Sequence, residues 1–134
     1  MPEESKFHRA CEDGEVGVVE GLLAEGVSPN ATGSGGTPAV WIAAAWGQPA
    51  VLGVLLGAPG LAVNSPHPDD GTTALMAASR YGETECVRLL LGGGAQPGLQ
   101  DPFGDTALDW AEAEGHTEIA AMLRAAAAAA AHQP

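Results

Sequence analysis

The chain has 134 residues, 46% of them apolar, enough for one packed domain and too many for a disordered one. Its 17 acidic residues against five basic ones leave a formal charge of −12, which argues against phosphate-backbone binding and against an anionic membrane surface, and favours a basic partner. No apolar run approaches the roughly 20 residues needed to span a bilayer. The opening MPEESKFHRA lacks secretory-signal or transit character, so the expected location is cytoplasmic or nuclear.

In chain order the predicted elements follow one plan. A first helix through Phe7, Ala10 and Cys11 ends at Gly14, and a second carries Val18, Val19 and Leu22. After GSGG at 33–36, a first helix through Val40 and Ala43 ends at Gly47, and a second carries Val51, Leu52 and Leu55. Pro38 stands where the later units have Thr73 and Thr106; proline suits a first helical turn, and Thr37 is expected to cap in its place. Two extra residues around APGLAVNSPHPDD predict a longer loop before the third unit. There Thr73 is expected to cap, Leu75 and Ala78 share a helical face, and Gly82 ends the helix in a left-handed conformation. Its second helix carries Cys86, Val87 and Leu90, and Gly94 closes it.

The last unit begins after DPFG at 101–104. Its Leu123-Arg124 replaces the Leu-Leu pairs 22–23, 55–56 and 90–91, a polar change that predicts an end cap. The alanine run at 125–131 is expected to continue the final helix, because alanine is the best helix former and the helix is already nucleated.

The four glycines Gly14, Gly47, Gly82 and Gly115 are 33, 35 and 33 residues apart. Seven residues before them stand Phe7, Val40, Leu75 and Leu108, four before stand Ala10, Ala43, Ala78 and Ala111, and eight after stand Leu22, Leu55, Leu90 and Leu123. With unit starts SKFHRA, PAVWIA, TALMAA and TALDWA, the chain resembles four ankyrin repeats, at about 1–32, 33–66, 67–100 and 101–131. The resemblance implies a single all-α domain, a solenoid of four helix–turn–helix units with short hairpin-like loops. In size and plan it is similar to small standalone ankyrin proteins of the myotrophin type, which inhibit a protein partner.

No constellation for catalysis stands out: there is no nucleophile with a base, no paired carboxylates and no Gly-rich phosphate loop. No cofactor and no metal is expected. His8 and Cys11 occupy slots held by Trp41/Ala44 and Met76/Ser79 in other units, which makes them scaffold positions. Cys11 and Cys86 read as small buried hydrophobes. His67 and His132 are assigned to loop and tail, and His116 to the turn after its glycine. Asn30 and Asn64 are expected to bond local backbone. The resemblance allows asparagine hydroxylation at both, though the Asp that usually precedes is absent.

By the same resemblance, partners meet the concave face, formed by the hairpin tips and the residues just before each helix-ending glycine. Those positions give Glu12, Asp13, Trp46, Arg80, Tyr81 and Glu114, with Asp69, Asp70, Phe103 and Asp105 in the hairpins. Trp46, Tyr81 and Phe103 are expected to be exposed anchors, and the carboxylates, Asp101 among them, a rim. Trp41 and Trp110 are assigned to packing. The implied activity is non-catalytic binding of a basic, partly apolar protein segment by a chain that is monomeric when unbound, as adaptor or stoichiometric inhibitor. The alternative is a structural subunit or assembly chaperone of a larger complex.

Overall fold

The computed structural model describes residues 3–131. Eight α-helices account for most of them: α1 Glu3–Asp13, α2 Val16–Ala24, α3 Ala39–Ala45, α4 Pro49–Leu56, α5 Ala74–Tyr81, α6 Thr84–Gly92, α7 Ala107–Ala113 and α8 Thr117–Ala131. Extended pairing among the described residues is limited to an isolated bridge between Thr32 and Pro38. Each odd-numbered helix packs on the even-numbered one that comes after it. The odd helices also pack side by side in one row and the even helices in another, so the molecule is an all-α repeat solenoid.

The two rows follow from side-chain size. Ala10, Ala43, Ala44, Ala78 and Ala111 are buried in the odd row, where small side chains let helices approach closely. Leucines and valines fill the space between the rows: Val19, Leu52, Leu55, Val87, Leu90 and Leu123 are almost completely buried. Each contributes about 1.5–3 kcal/mol relative to exposure. Cys11 and Cys86 are buried and unpaired. Burial pushes their thiols up to about 12 and about 11, with Glu83 and Glu85 adding to the second, so neither is a poised nucleophile.

The helix ends are set as the sequence predicts in the third unit and differently in the second. Thr73 accepts a hydrogen bond from the Met76 N–H at 3.2 Å, and Gly82 (φ 75°) ends α5 in the left-handed region that a Cβ makes costly. In α3 the N-cap is Pro38 itself, with no side-chain cap, and the expected Thr37 cap is not made; the Thr37 hydroxyl lies 3.4 Å from His67 Nε2 instead. The connection 57–73 is longer than 25–38 and 93–106, as the extra residues predict. α8 runs unbroken to Ala131, and Arg124 forms an ion pair with Glu112 across the end of the stack.

Adjacent helix pairs are keyed together. Gln48 lies over Gly14, Glu83 over Gly47 and His116 over Gly82, so the residue after one helix-ending glycine covers the preceding glycine. A Cβ at Gly82 would stand 2.7 Å from the His116 ring, so glycine is required there for space as well as for its φ. Gln48 Nε2 also donates to the Glu12 carbonyl at 2.8 Å, and His116 Nε2 to the Arg80 carbonyl at 3.0 Å. His116 therefore bonds the neighbouring unit and not its own turn. The asparagines do the same: Asn30 bonds Gly60 and Ala62, and Asn64 bonds Gln96, where local bonding was expected.

Candidate partner-binding face

Three hairpins project beside the odd-numbered helices, closed by backbone bonds from Gly33 to Thr37 (2.9 Å), His67 to Thr72 (2.7 Å) and Asp101 to Asp105 (2.9 Å). They stack on one another, since Pro68 lies against Gly36 and Pro102 against Gly71. The hairpins hold the tryptophans of the helices behind them. Trp41 donates its indole N–H to Thr72 Oγ1 at 3.1 Å, and its ring meets His67 edge-on at a centroid distance of 4.6 Å. The Thr72 hydroxyl in turn donates a hydrogen bond to Asp70 Oδ1 at 2.7 Å, so Trp41, Thr72 and Asp70 form one hydrogen-bonded relay. Partial burial pushes the Asp70 carboxyl upward, but the hydroxyl and N–H bonds from Thr72, with His67 and Arg80 nearby, outweigh it and set the group below its ordinary value.

Trp110 is held differently. Its indole N–H reaches Asp101 Oδ2 at 3.2 Å, and Asp101 Oδ1 accepts the N–H groups of Phe103 (3.0 Å) and Asp105 (2.9 Å). Asp101 is only 6% exposed, so it is an internal hub and not part of the acidic rim where the sequence reading put it. The Arg80 guanidinium lies 5.3 Å from the Tyr81 ring centroid and 5.1 Å from that of Trp110, a double cation–π contact.

Trp46 and Tyr81 are 57% and 48% exposed, and with Trp41 and Ala45 they line an open cleft of about 310 Å³. A second cleft, about 370 Å³, shares Trp41 and Trp46 and continues between α1 and α3 past His8, Arg9, Glu12 and His67. Of the expected site residues, the structure thus places Trp46 with Tyr81 in the first cleft and with Glu12 in the second, and groups Arg80 and Asp70 around Tyr81 and Trp110. Asp13 and Glu114 are exposed outside these clefts, as are Phe103, 87% exposed at its hairpin tip, and Asp105. Asp69 is exposed and turns its backbone N–H onto His67 Nδ1 at 3.1 Å. Trp41, which packs on the core as the sequence implied, His67, in its expected loop, and Arg9 also line these clefts. Trp41 stands six residues before Gly47, in the slot that holds the buried His8 and Met76 and the exposed Asp109.

No helix among the described residues is long and apolar enough to cross a membrane. No group of three or more His, Cys, Asp or Glu side chains among them is arranged to hold a metal ion.

Comparison with known proteins agrees with this architecture. The chain is 42% identical over 64 residues to the ARF GTPase-activating protein GIT1 of Homo sapiens, covering 48% of this chain and 8% of that protein. It is 29% identical over 121 residues to the E3 ubiquitin-protein ligase KEG of Arabidopsis thaliana, covering 90% of this chain and 7% of the ligase. To a putative ankyrin repeat-containing protein of Treponema pallidum it is 33% identical over 105 residues, covering 78% of this chain and 35% of the relative. The chain spans less than a tenth of the length of the GIT proteins it matches. The family profile described as ankyrin repeats (3 copies) matches residues 40–132, and with it the chain belongs to the ankyrin-repeat family.

Proposed function

We propose that the chain acts without catalysis, seating a basic, partly apolar segment of a partner protein on its concave face and hairpin tips, as adaptor or stoichiometric inhibitor. Ankyrin repeats are protein–protein interaction modules. The observation that carries the finer reading is the open cleft of Trp41, Trp46 and Tyr81 in a chain of charge −12. Exposed rings give large contact area for little lost entropy, and the acidic surroundings favour encounter with a cation-bearing segment. Four repeats with the boundaries given above, a monomeric unbound state and a cytoplasmic or nuclear location complete the proposal. The test is affinity purification from the native host with wild type and Trp46→Ala, then binding kinetics on the purified partner. Loss of one stoichiometric partner in the variant supports the reading, and normal binding by a folded Trp46→Ala overturns it.

A second reading, a structural subunit or assembly chaperone, draws on the even-numbered row. α4 carries no charged residue, and on α2 Val18 is 43% exposed, whereas α6 presents Glu85 and Arg88. This reading gains if substitutions at Glu20 or Arg88 abolish binding while Trp46→Ala does not.

A further inference from the structure

We propose that the cleft between Trp41, Trp46 and Tyr81 receives a methylated lysine of the partner segment. The inference rests on the concave-face reading and names the group recognised there.

The lining consists of three aromatic rings and one methyl group, those of Trp41, Trp46, Tyr81 and Ala45. It holds no carboxylate and no side-chain amide, and the Trp41 indole N–H is already committed to Thr72. Besides the Tyr81 hydroxyl and the Trp46 indole N–H, what remains to recognise a guest is ring surface, whose π-faces are negative and attract cations. The protein shows this preference itself, because Tyr81 also borders the site where the Arg80 guanidinium lies over Tyr81 and Trp110. The field of a chain carrying −12 acts in the same direction.

The lining also selects among cations. A bare ammonium has three N–H donors and a guanidinium five, and beyond the Tyr81 hydroxyl the four lining residues offer no side-chain acceptor, so most of those donors must stay turned to water and away from the rings. Trimethylammonium has no N–H donor and spreads its charge over methyl groups that pack against rings, so it enters this cleft with nothing left unpaired. Arg80 is compatible with that argument because it is exposed and keeps its donors in water.

The test uses the full chain with ¹⁵N-labelled indoles and three small probes: N-acetyl-trimethyllysine methylamide, its neutral isostere with carbon in place of the quaternary nitrogen, and the unmethylated lysine compound. The expected result is saturable shifts of the Trp41 and Trp46 indole signals with the trimethyl probe. The neutral isostere should bind roughly tenfold more weakly, as a partly desolvated cation–π contact requires. Trp46→Ala should abolish the shifts, and Tyr81→Phe, which keeps the ring, should preserve them. Equal binding of the isostere, tighter binding of unmethylated lysine, or no saturable shift overturns the proposal. If the probe fails while Trp46→Ala still weakens the protein partner, the receptacle falls and the concave-face reading stands; if the probe binds and partner binding ignores Trp46, the reverse holds.

Discussion

The face formed by the odd-numbered helices and hairpins has two halves that look alike by composition and differ in what is left for others. Around Trp110 the protein supplies both partners itself: Asp101 takes the indole N–H and Arg80 covers the ring. Around Trp46 that ring stands open, with Trp41 anchored beside it by Thr72 and His67 and only Tyr81 sharing the Arg80 guanidinium. The difference lies in the neighbouring hairpin and helix, not in the tryptophans. An aromatic side chain is available to a partner only where the adjacent unit leaves it unsatisfied.

Breaking the closed half should cost stability. Trp110→Ala removes a half-buried ring and strands one bond of the buried Asp101, so a loss of about 3 kcal/mol is expected in urea unfolding. An unchanged midpoint would show that this half is not structural. Breaking the open half should cost binding instead: Trp46→Ala is expected to weaken partner affinity by about 2 kcal/mol while stability moves by no more than about 0.5 kcal/mol. Calorimetric titration paired with thermal unfolding separates the two. Ala78→Leu strikes the fully buried helix contact beneath both halves and should lower stability by about 1–3 kcal/mol through overpacking. A wild-type unfolding midpoint for this variant would contradict the packing register.

Smaller effects sharpen the comparison at the rim. Asp69→Lys should slow association and flatten its salt dependence with little change in dissociation, measurable by stopped flow, because Asp69 is exposed and makes its structural bond through the backbone. Asp70 is a poorer site for that test, since its carboxylate holds Thr72 and, through it, Trp41. Its carboxyl is depressed in the folded protein, so the associated stabilisation is present above the ordinary value of 3.8 and fades as pH falls through and below it. Asp70→Asn should therefore flatten the stability profile slightly below that pH, and an unaltered acid limb would remove Asp70 from the relay. The effect is small because the group is largely exposed.

The repeat plan, the helix order, the left-handed Gly82 and the long 57–73 connection were all legible in the sequence, because each depends on periodic residues or on local backbone chemistry. The exposure of Trp46, Tyr81 and Phe103 was legible from register alone. What escaped were contacts between units. Asn30, His116 and Asp101 were read as local turn or rim residues, yet each acts on a group brought to it by the stack or the hairpin closure. Phe103 shows the converse: register placed it with Trp46 and Tyr81, but its hairpin tip carries it away from their cleft.

The covering of each glycine by the next helix pair makes the order of the units chemically meaningful. Exchanging the second pair with the third would put Glu83 over Gly14, where its carboxylate would face the Glu12 carbonyl, acceptor against acceptor, in place of the amide donor of Gln48. The other two junctions would survive the exchange, because Gln48 over Gly82 and His116 over Gly47 both retain a donor for the carbonyl beneath. The array is therefore not a set of interchangeable modules: the exchange would cost the first junction its side-chain hydrogen bond, which the native junction of Glu83 over Gly47 does without.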